Sequence, residues 1–300
     1  MASPLLALDA PSLYYRAYFG VPESITAPDG TPVNAVRGFL DALSTLIRGR
    51  RPDRVVCALD FDWRPAWRVE LLPSYKAHRV VDEELNAEAT PDTLSPQVPI
   101  LLEILAALGI PAIGSVGFEA DDVLGTLAAR GPAPVEVVTG DRDLFQLIDD
   151  GVSVLYVGRG VANLEVLDDA AVLAKYGVPA AGYADFAVLR GDPSDGLPGV
   201  AGVGEKTAAK LITAYGDLDG LLAHVHEQPK GLQAKLLAAA DYLKVAPAVV
   251  RVSTDVALPE FDATLPREPV DPAGLAELAE TWGVTGAVGR LTTAMARNEP

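Results

Sequence analysis

Three short apolar runs, each leading into an acid, constrain this chain most. They are Leu5 to Asp9, Val55 to Asp60, and Val135 to Thr139, which runs on to Asp141. They are too short for core helices and show no polar alternation, so they read as strands buried on both faces. The segments between them have helical spacing. In Asn34 to Ile47, Val36, Phe39, Leu40, Leu43, Leu46 and Ile47 fall at three- and four-residue steps. Ile100 to Leu108 reads as a helix stopped by Gly109, and Asp121 to Arg130 as another. Fully buried strands separated by helices require a mostly parallel central sheet flanked by helices on both faces, an α/β fold.

The second half differs. From about Asp168 the pattern is mostly helical and broken by Gly and Pro, with a glycine-rich turn near residues 199–204 leading into a helix. A boundary near residue 180 gives an α/β domain over 1–180 and a helical subdomain over 181–300. Val80 to Pro99 is polar and acidic and carries Pro91, Pro96 and Pro99. A connection that long inside a compact domain is usually functional or mobile. Pro272 to Pro300 reads as two short helices around Gly283, with no function attached.

Charge argues first against nucleic acid. Lys plus Arg number 24 against 41 Asp plus Glu, a net −17 in 300 residues, whereas phosphate binders usually carry a basic excess. The acids are not scattered, however. Asp9 and Asp60 end strands, Glu119, Asp121 and Asp122 open a helix, Asp141 and Asp143 follow a strand, and Asp192 and Asp195 flank a Pro-Ser turn. Taken singly, helix-opening acids are ordinary caps and the others ordinary turn formers. Taken together, most lie beyond the carboxyl ends of strands, where open α/β sheets collect functional groups. Nine carboxylates in one crevice repel unless cations are present. Two divalent ions held by oxygen ligands can drive in-line phosphodiester hydrolysis. Even without these nine the balance is acidic, so any attraction for DNA has to be local.

At this point three motifs carry a resemblance. Phe118-Glu119-Ala120-Asp121-Asp122, then Thr139-Gly140-Asp141-Arg142-Asp143-Leu144-Phe145-Gln146-Leu147, then Gly191-Asp192-Pro193-Ser194-Asp195-Gly196-Leu197-Pro198-Gly199-Val200 resemble, in order and spacing, the bacterial 5′-nuclease family. That family includes the 5′–3′ exonuclease domain of DNA polymerase I and the flap endonucleases. Tyr75-Lys76-Ala77-His78-Arg79 and the segment Leu13 to Phe19 resemble two further elements, and the likeness runs from about Leu5 to about residue 255. It implies a PIN-like 5′-nuclease fold with a helical arch at about 76–98 and a helix-hairpin-helix-type motif at about 192–215. It assigns Asp9, Asp60, Glu119, Asp121 and Asp122 to a first metal group, and Asp141, Asp143, Asp192 and Asp195 to a second. The implied cofactors are two Mg²⁺ or Mn²⁺ ions, with K⁺ on the helix-hairpin-helix element. Asp9, Asp60, Asp121 and Asp141, with Lys76 and Arg79, are the expected catalytic residues. With no polymerase segment following, a stand-alone nuclease is expected.

The basic residues complete the expectation. Lys76 meets the scissile phosphate, Arg79 shares a helix face with it, Tyr75 stacks on an unpaired base, and Arg16 reaches a phosphate near the first metal. Gly199, Gly202 and Gly204 present backbone N–H groups to the duplex, and Lys206 and Lys210 extend the same grip. Asp82, Glu83, Glu84 and Glu88 make the arch region acidic, which weakens its hold on a single strand. The expected activity is exonucleolytic or flap cleavage of branched, flapped or nicked DNA in replication and repair. Two rivals are a catalytically weak structure-specific DNA binder and an RNA-cleaving PIN-like relative. The single cysteine, Cys57, fits a reducing compartment. The start reads as no signal peptide and no apolar run spans a bilayer. A cytoplasmic monomer is expected.

Overall fold

The computed structural model describes residues 3–297 apart from 83, 85, 86, 132 and 133. Its strands are β1 (Leu5–Asp9), β2 (Arg54–Ala58), β3 (Val80–Asp82), β4 (Ala87–Glu88), β5 (Ala112–Ile113), β6 (Val135–Thr139), β7 (Val152–Tyr156) and β8 (Glu165–Leu167). The helices of the first half are α1 (Ala10–Gly20), α2 (Asn34–Arg50), α3 (Ala66–Leu71), α4 (Gln97–Leu108), α5 (Ala120–Arg130) and α6 (Asp169–Tyr176). Those of the second are α7 (Tyr183–Arg190), α8 (Glu205–Tyr215), α9 (Leu218–Ala223), α10 (Lys230–Ala238), α11 (Ala240–Val250), α12 (Pro272–Thr281) and α13 (Thr285–Ala296).

Six strands form one sheet in the order β5-β2-β1-β6-β7-β8. Every pairing is parallel except that of β8 with β7. All five residues of β1 are buried. Leu5 and Ala7 face a core completed by α5, α7 and α11, while Leu6 and Leu8 face α2, α4 and α13. Burying each such leucine contributes roughly 1.5–3 kcal/mol. Both faces being covered is why these runs show no alternation. The predicted helix stop is also present: Gly109 follows α4 at φ 79°, and its amide donates to the carbonyls of Ala106 and Leu105 in the helix's last turn.

Two expectations need correction. Where a helical arch is expected, the described residues form a 3-10 turn (Ala77–Arg79) and an antiparallel β3–β4 pair, with α-helix resuming only at Gln97. Consecutive valines at 80 and 81 favour extended backbone. Pro91 and Pro96 interrupt any helix leading into α4. Glu83, expected to add to the acidity of this segment, lies outside the described residues. The second correction concerns 181–300, which does not stay together. Residues 183–250 pack on the α5 side of the sheet, whereas Leu265, Leu275, Leu291 and Met295 join the α2 and α4 side. The amide of Val55 donates to Ala263 and that of Leu265 to Asp53, at 2.8 and 2.9 Å, carrying the chain back along β2.

Candidate active site

Parallel pairing sets the site. Leu8 aligns with Cys57 on one side and Val138 on the other, so β1, β2 and β6 end at the same edge. Acids just beyond those ends are therefore delivered to one place. There a crevice of about 540 Å³ is lined by Asp9, Asp60, Glu119, Asp121, Asp141 and Asp192, together with Arg16, Lys76, Arg79 and Arg142.

Each acid is held by local structure. Asp9 caps α1, accepting from the Ser12 amide at 3.1 Å and from the Thr139 hydroxyl at 2.6 Å. The same hydroxyl accepts from the Asp141 amide at 2.8 Å, joining the ends of β1 and β6. Asp60 accepts from the Ala120 amide at 2.7 Å, in the first turn of α5. Asp141 accepts from the Asp143 amide at 2.9 Å. Asp192 accepts from the Ser194 amide at 2.9 Å and pairs with Arg190 at 3.1 Å. The 192–196 turn docks on the 74–79 segment. The Ser74 hydroxyl donates to the Gly196 carbonyl at 2.8 Å, and the Lys76 amide donates to the Asp195 carbonyl at 3.0 Å. This docking brings the helical half to the sheet edge.

The charges are crowded. Burial raises Asp9 to about 6 against its bonds to Thr139 and Ser12, with Asp141 adding repulsion. Loss of surrounding water, then Glu119 and Asp9, raises Asp60 to about 7 although Lys76 pulls the other way. Burial followed by neighbouring acids pushes Asp121 and Asp143 well up, with Asp141 the largest repulsive partner of each. Burial is the largest single influence on the Lys76 ammonium and opposes its charge, but Glu119, Tyr75, Asp195 and Asp60 together hold the lysine well above its usual range. Among the described residues no three of these acids close on one point tightly enough to enclose an ion unaided. The donor set is nevertheless all oxygen, and its members repel one another. Hard divalent cations are bound by such ligands.

The structure re-sorts the expected residues. Asp122 does not face the crevice: it is fully buried and takes a fork from Arg68 at 2.7 and 2.8 Å. Asp143 and Asp195 also sit outside the lining, although each feels the charge of Asp141. Tyr75 cannot stack on a base, because it is 5% exposed and its hydroxyl donates to Glu119 at 2.7 Å. Lys76 and Arg79 do not share a helix face. Lys76 sits at φ 48° before the 3-10 turn, and its ammonium pairs with Glu119. Arg79 turns instead to the Ser194 carbonyl at 2.7 Å and Asp195 at 2.9 Å. Arg16 lies over Gly140, donating to the Gly140 and Gly158 carbonyls at 2.8 and 3.0 Å.

The glycine-rich turn joins α7 to α8. Gly199 has φ 65°, and a β-carbon there would stand 2.6 Å from the Gly191 amide nitrogen, so two backbone segments touch where a side chain cannot fit. Gly202 has φ 70°, and its carbonyl accepts from Lys235 at 3.3 Å. Gly204 caps α8 with open space around it, and Lys206 and Lys210 are exposed on that helix.

Sequence reasoning missed Arg68 and Glu88. Arg68 is 2% exposed. It donates to Glu119, Asp122 and the Val249 carbonyl, fixing the N-terminus of α5. An arginine on a six-residue helix carries no local sign of this. Glu88, read as one of the acids that weaken the arch's hold on a single strand, lines the crevice itself.

Residues 4–177 match the family described as 5′-3′ exonuclease, N-terminal resolvase-like domain, and residues 178–273 match 5′-3′ exonuclease, C-terminal SAM fold. A Streptomyces coelicolor protein named 5′-3′ exonuclease is 56% identical over 299 residues, covering 97% of this chain and 99% of that one. DNA polymerase I of Mycobacterium bovis is 44% identical over 225 residues, 74% of this chain and 24% of that one. The fold is similar to a solved structure of the bacteriophage T5 flap endonuclease in a pseudo-enzyme-product complex with DNA and metal ions. The TM-score is 0.64 at 17% identity, covering 98% of each chain. The two family matches together span residues 4–273, and the chain belongs to the 5′–3′ exonuclease family.

Proposed function

We propose that this protein is a metal-dependent 5′-nuclease that hydrolyses phosphodiester bonds in flapped, nicked or branched DNA. One observation carries the reading: seven carboxylates, brought together from several elements, line a single crevice with Lys76 and Arg79. Asp9, Asp60, Glu119 and Asp121 are the residues to hold one divalent ion, and Asp141 and Asp192, with Asp143 and Asp195 close behind, the second. Bound there, Mg²⁺ or Mn²⁺ would supply the Lewis acidity for in-line displacement at phosphorus.

The chain's own groups do the rest. Lys76 is a fixed cation for a strand phosphate, held in place by Glu119. Arg16, braced by two backbone carbonyls, offers a second charge at the α1 wall. The 199–204 turn, the first-turn amides of α8, Lys206 and Lys210 hold the duplex backbone away from the cutting point. A K⁺ ion on that turn's carbonyls belongs to the same proposal. Lys235 is the cation the turn meets in the structure. No described helix is long and apolar enough to cross a membrane.

The test is Asp141→Asn on an end-labelled 5′ flap with Mg²⁺, with Mn²⁺, and with EDTA. Asparagine keeps the acceptor for the Asp143 amide but removes the charge, so the fold stays and cleavage is lost. Undiminished turnover by the purified variant overturns the metal assignment.

A further inference from the structure

Two arginines and one glutamate meet between the crevice and the glycine-rich turn. Arg142 lies between Asp141 and Asp143 and lines the crevice. Arg190 ends α7, and Glu205 opens α8. One Glu205 oxygen, Oε1, stands 3.8 Å from Nη1 of Arg190 and 4.0 Å from Nη1 of Arg142. Arg142 is partly exposed, whereas the Arg190 side chain is 9% exposed and fixed on three sides. Its Nε donates to the Gly191 carbonyl at 3.0 Å and its Nη2 to Asp192 at 3.1 Å, and its guanidinium carbon lies 5.2 Å from the centre of the Phe186 ring. The remaining nitrogen, Nη1, is buried and has no hydrogen-bond partner among the described residues. Buried polar groups are ordinarily paired, and a stranded one calls for a reason. Glu205 does not satisfy it, since 3.8 Å is too long for a hydrogen bond and the glutamate side chain is 60% exposed. An acid in the first turn of a helix is ordinary by itself. The orphaned guanidinium nitrogen behind it is not.

We propose that Arg190 and Arg142 form a binding site for one phosphodiester of the DNA backbone, and that Glu205 occupies it as a stand-in until DNA arrives. A phosphodiester carries one negative charge and two non-bridging oxygens, one for each guanidinium, and such charge-assisted bonds are short and strong. The same group meets the N-terminus of α8, which has no side-chain cap. Glu205 carries an equal charge on an exposed side chain, so it gives way without disturbing the fold. The site joins the acids of the crevice to the 199–204 turn and sets the register between the duplex grip and the cutting point. The proposal rests on the nuclease reading for the identity of the polyanion, but the contacts do not depend on metal.

Binding of a 5′-flap DNA is measured by fluorescence anisotropy in EDTA, where nothing is cut, for the parent, Glu205→Gln, Arg190→Met and the double variant. Glutamine keeps the size of the side chain and removes the competing charge, so Glu205→Gln is expected to bind about three- to fivefold more tightly. Arg190→Met is expected to bind about tenfold more weakly. In that background Glu205→Gln gains less than about twofold, because the stand-in has lost the group it competes for. A general charge effect would give the same gain in both backgrounds. Flaps carrying one neutral methylphosphonate at successive duplex positions locate the phosphate. One position is expected to weaken the parent by about tenfold and to leave Arg190→Met unaffected. Circular dichroism checks each variant, and Arg142→Met closes a second cycle should Arg190→Met unfold.

Equal gains from Glu205→Gln in both backgrounds, or no gain in either, overturn the proposal, as does a scan in which no position is silenced by Arg190→Met. Parent that binds the flap but does not cut it with Mg²⁺ overturns the nuclease reading instead, and the binding cycle in EDTA still decides the phosphate site.

Discussion

Replacing Arg68 by methionine tests the support behind the crevice. The guanidinium is 2% exposed, and its partners Glu119 and Asp122 are 2% and 0% exposed. Methionine fills a similar volume and removes the charge. Glu119 keeps Tyr75 and Lys76 as donors. Asp122 keeps only amides, those of Ser253 at 2.8 Å and Glu119 at 3.2 Å, and has no cation left. Breaking one side of a buried ion pair costs about 3–5 kcal/mol. The Val249 carbonyl, which accepts from Arg68 at 3.1 Å, loses its donor for about 1–3 kcal/mol more. Because the two losses overlap, a total of about 4–6 kcal/mol is expected. Against a typical stability of about 5–15 kcal/mol this is a large fraction. Urea unfolding followed by circular dichroism, with refolding checked, measures it. The pair Arg68→Met with Asp122→Asn should recover about half the loss, since the second change removes the stranded charge. A single variant within about 1 kcal/mol of the parent, or a double variant no better than the single, refutes the claim that Arg68 neutralises buried acids.

Three further outcomes follow from particular residues. Asp9 and Asp60 sit near 6 and 7 in the fold but near 3.9 when unfolded. The folded state therefore holds the extra protons, and stability without metal falls as pH rises from about 4 through 7. Thermal melts in EDTA should show this fall, Asp60→Asn should flatten it, and a stability that climbs across that window contradicts the assignment. In Gly199→Ala, a methyl is forced against the Gly191 amide nitrogen at positive φ, costing a few kcal/mol and weakening duplex binding measured by fluorescence anisotropy; parental affinity and stability would refute the close-approach argument. In Gly140→Ala, the three atoms nearest the added carbon all belong to the flexible guanidinium of Arg16, so stability should change by under about 1 kcal/mol while Arg16 swings off its two carbonyls and flap affinity drops; a large stability loss with unchanged affinity contradicts this.

The architecture was legible because it depends on local periodicity. Continuous apolar runs of five residues and helices with three- and four-residue spacing allow few solutions other than a covered parallel sheet. Parallel pairing then carries Asp9, Asp60 and Asp141 to one edge with no further information. The candidate acids were legible for the same reason, since each stands at a fixed offset from a strand or helix end. What the chain could not reveal is which acids face the crevice and which face inward. Asp121 and Asp122 are neighbours with the same local signal. Only the position of Arg68, more than 50 residues earlier, turns Asp122 inward and leaves Asp121 to the crevice.

The other surprises share that cause. Tyr75 looked free to stack until Glu119 claimed its hydroxyl. Lys76 and Arg79 looked paired until two different carboxylates drew them apart. The closing helices α12 and α13 looked like part of the helical half, but their apolar faces found α2 and α4. Periodicity and offset act within a few residues, so the sequence alone determines elements and where their ends lie. Ion pairing and burial act between segments far apart in the chain, so only the assembled structure decides which way a charged side chain points.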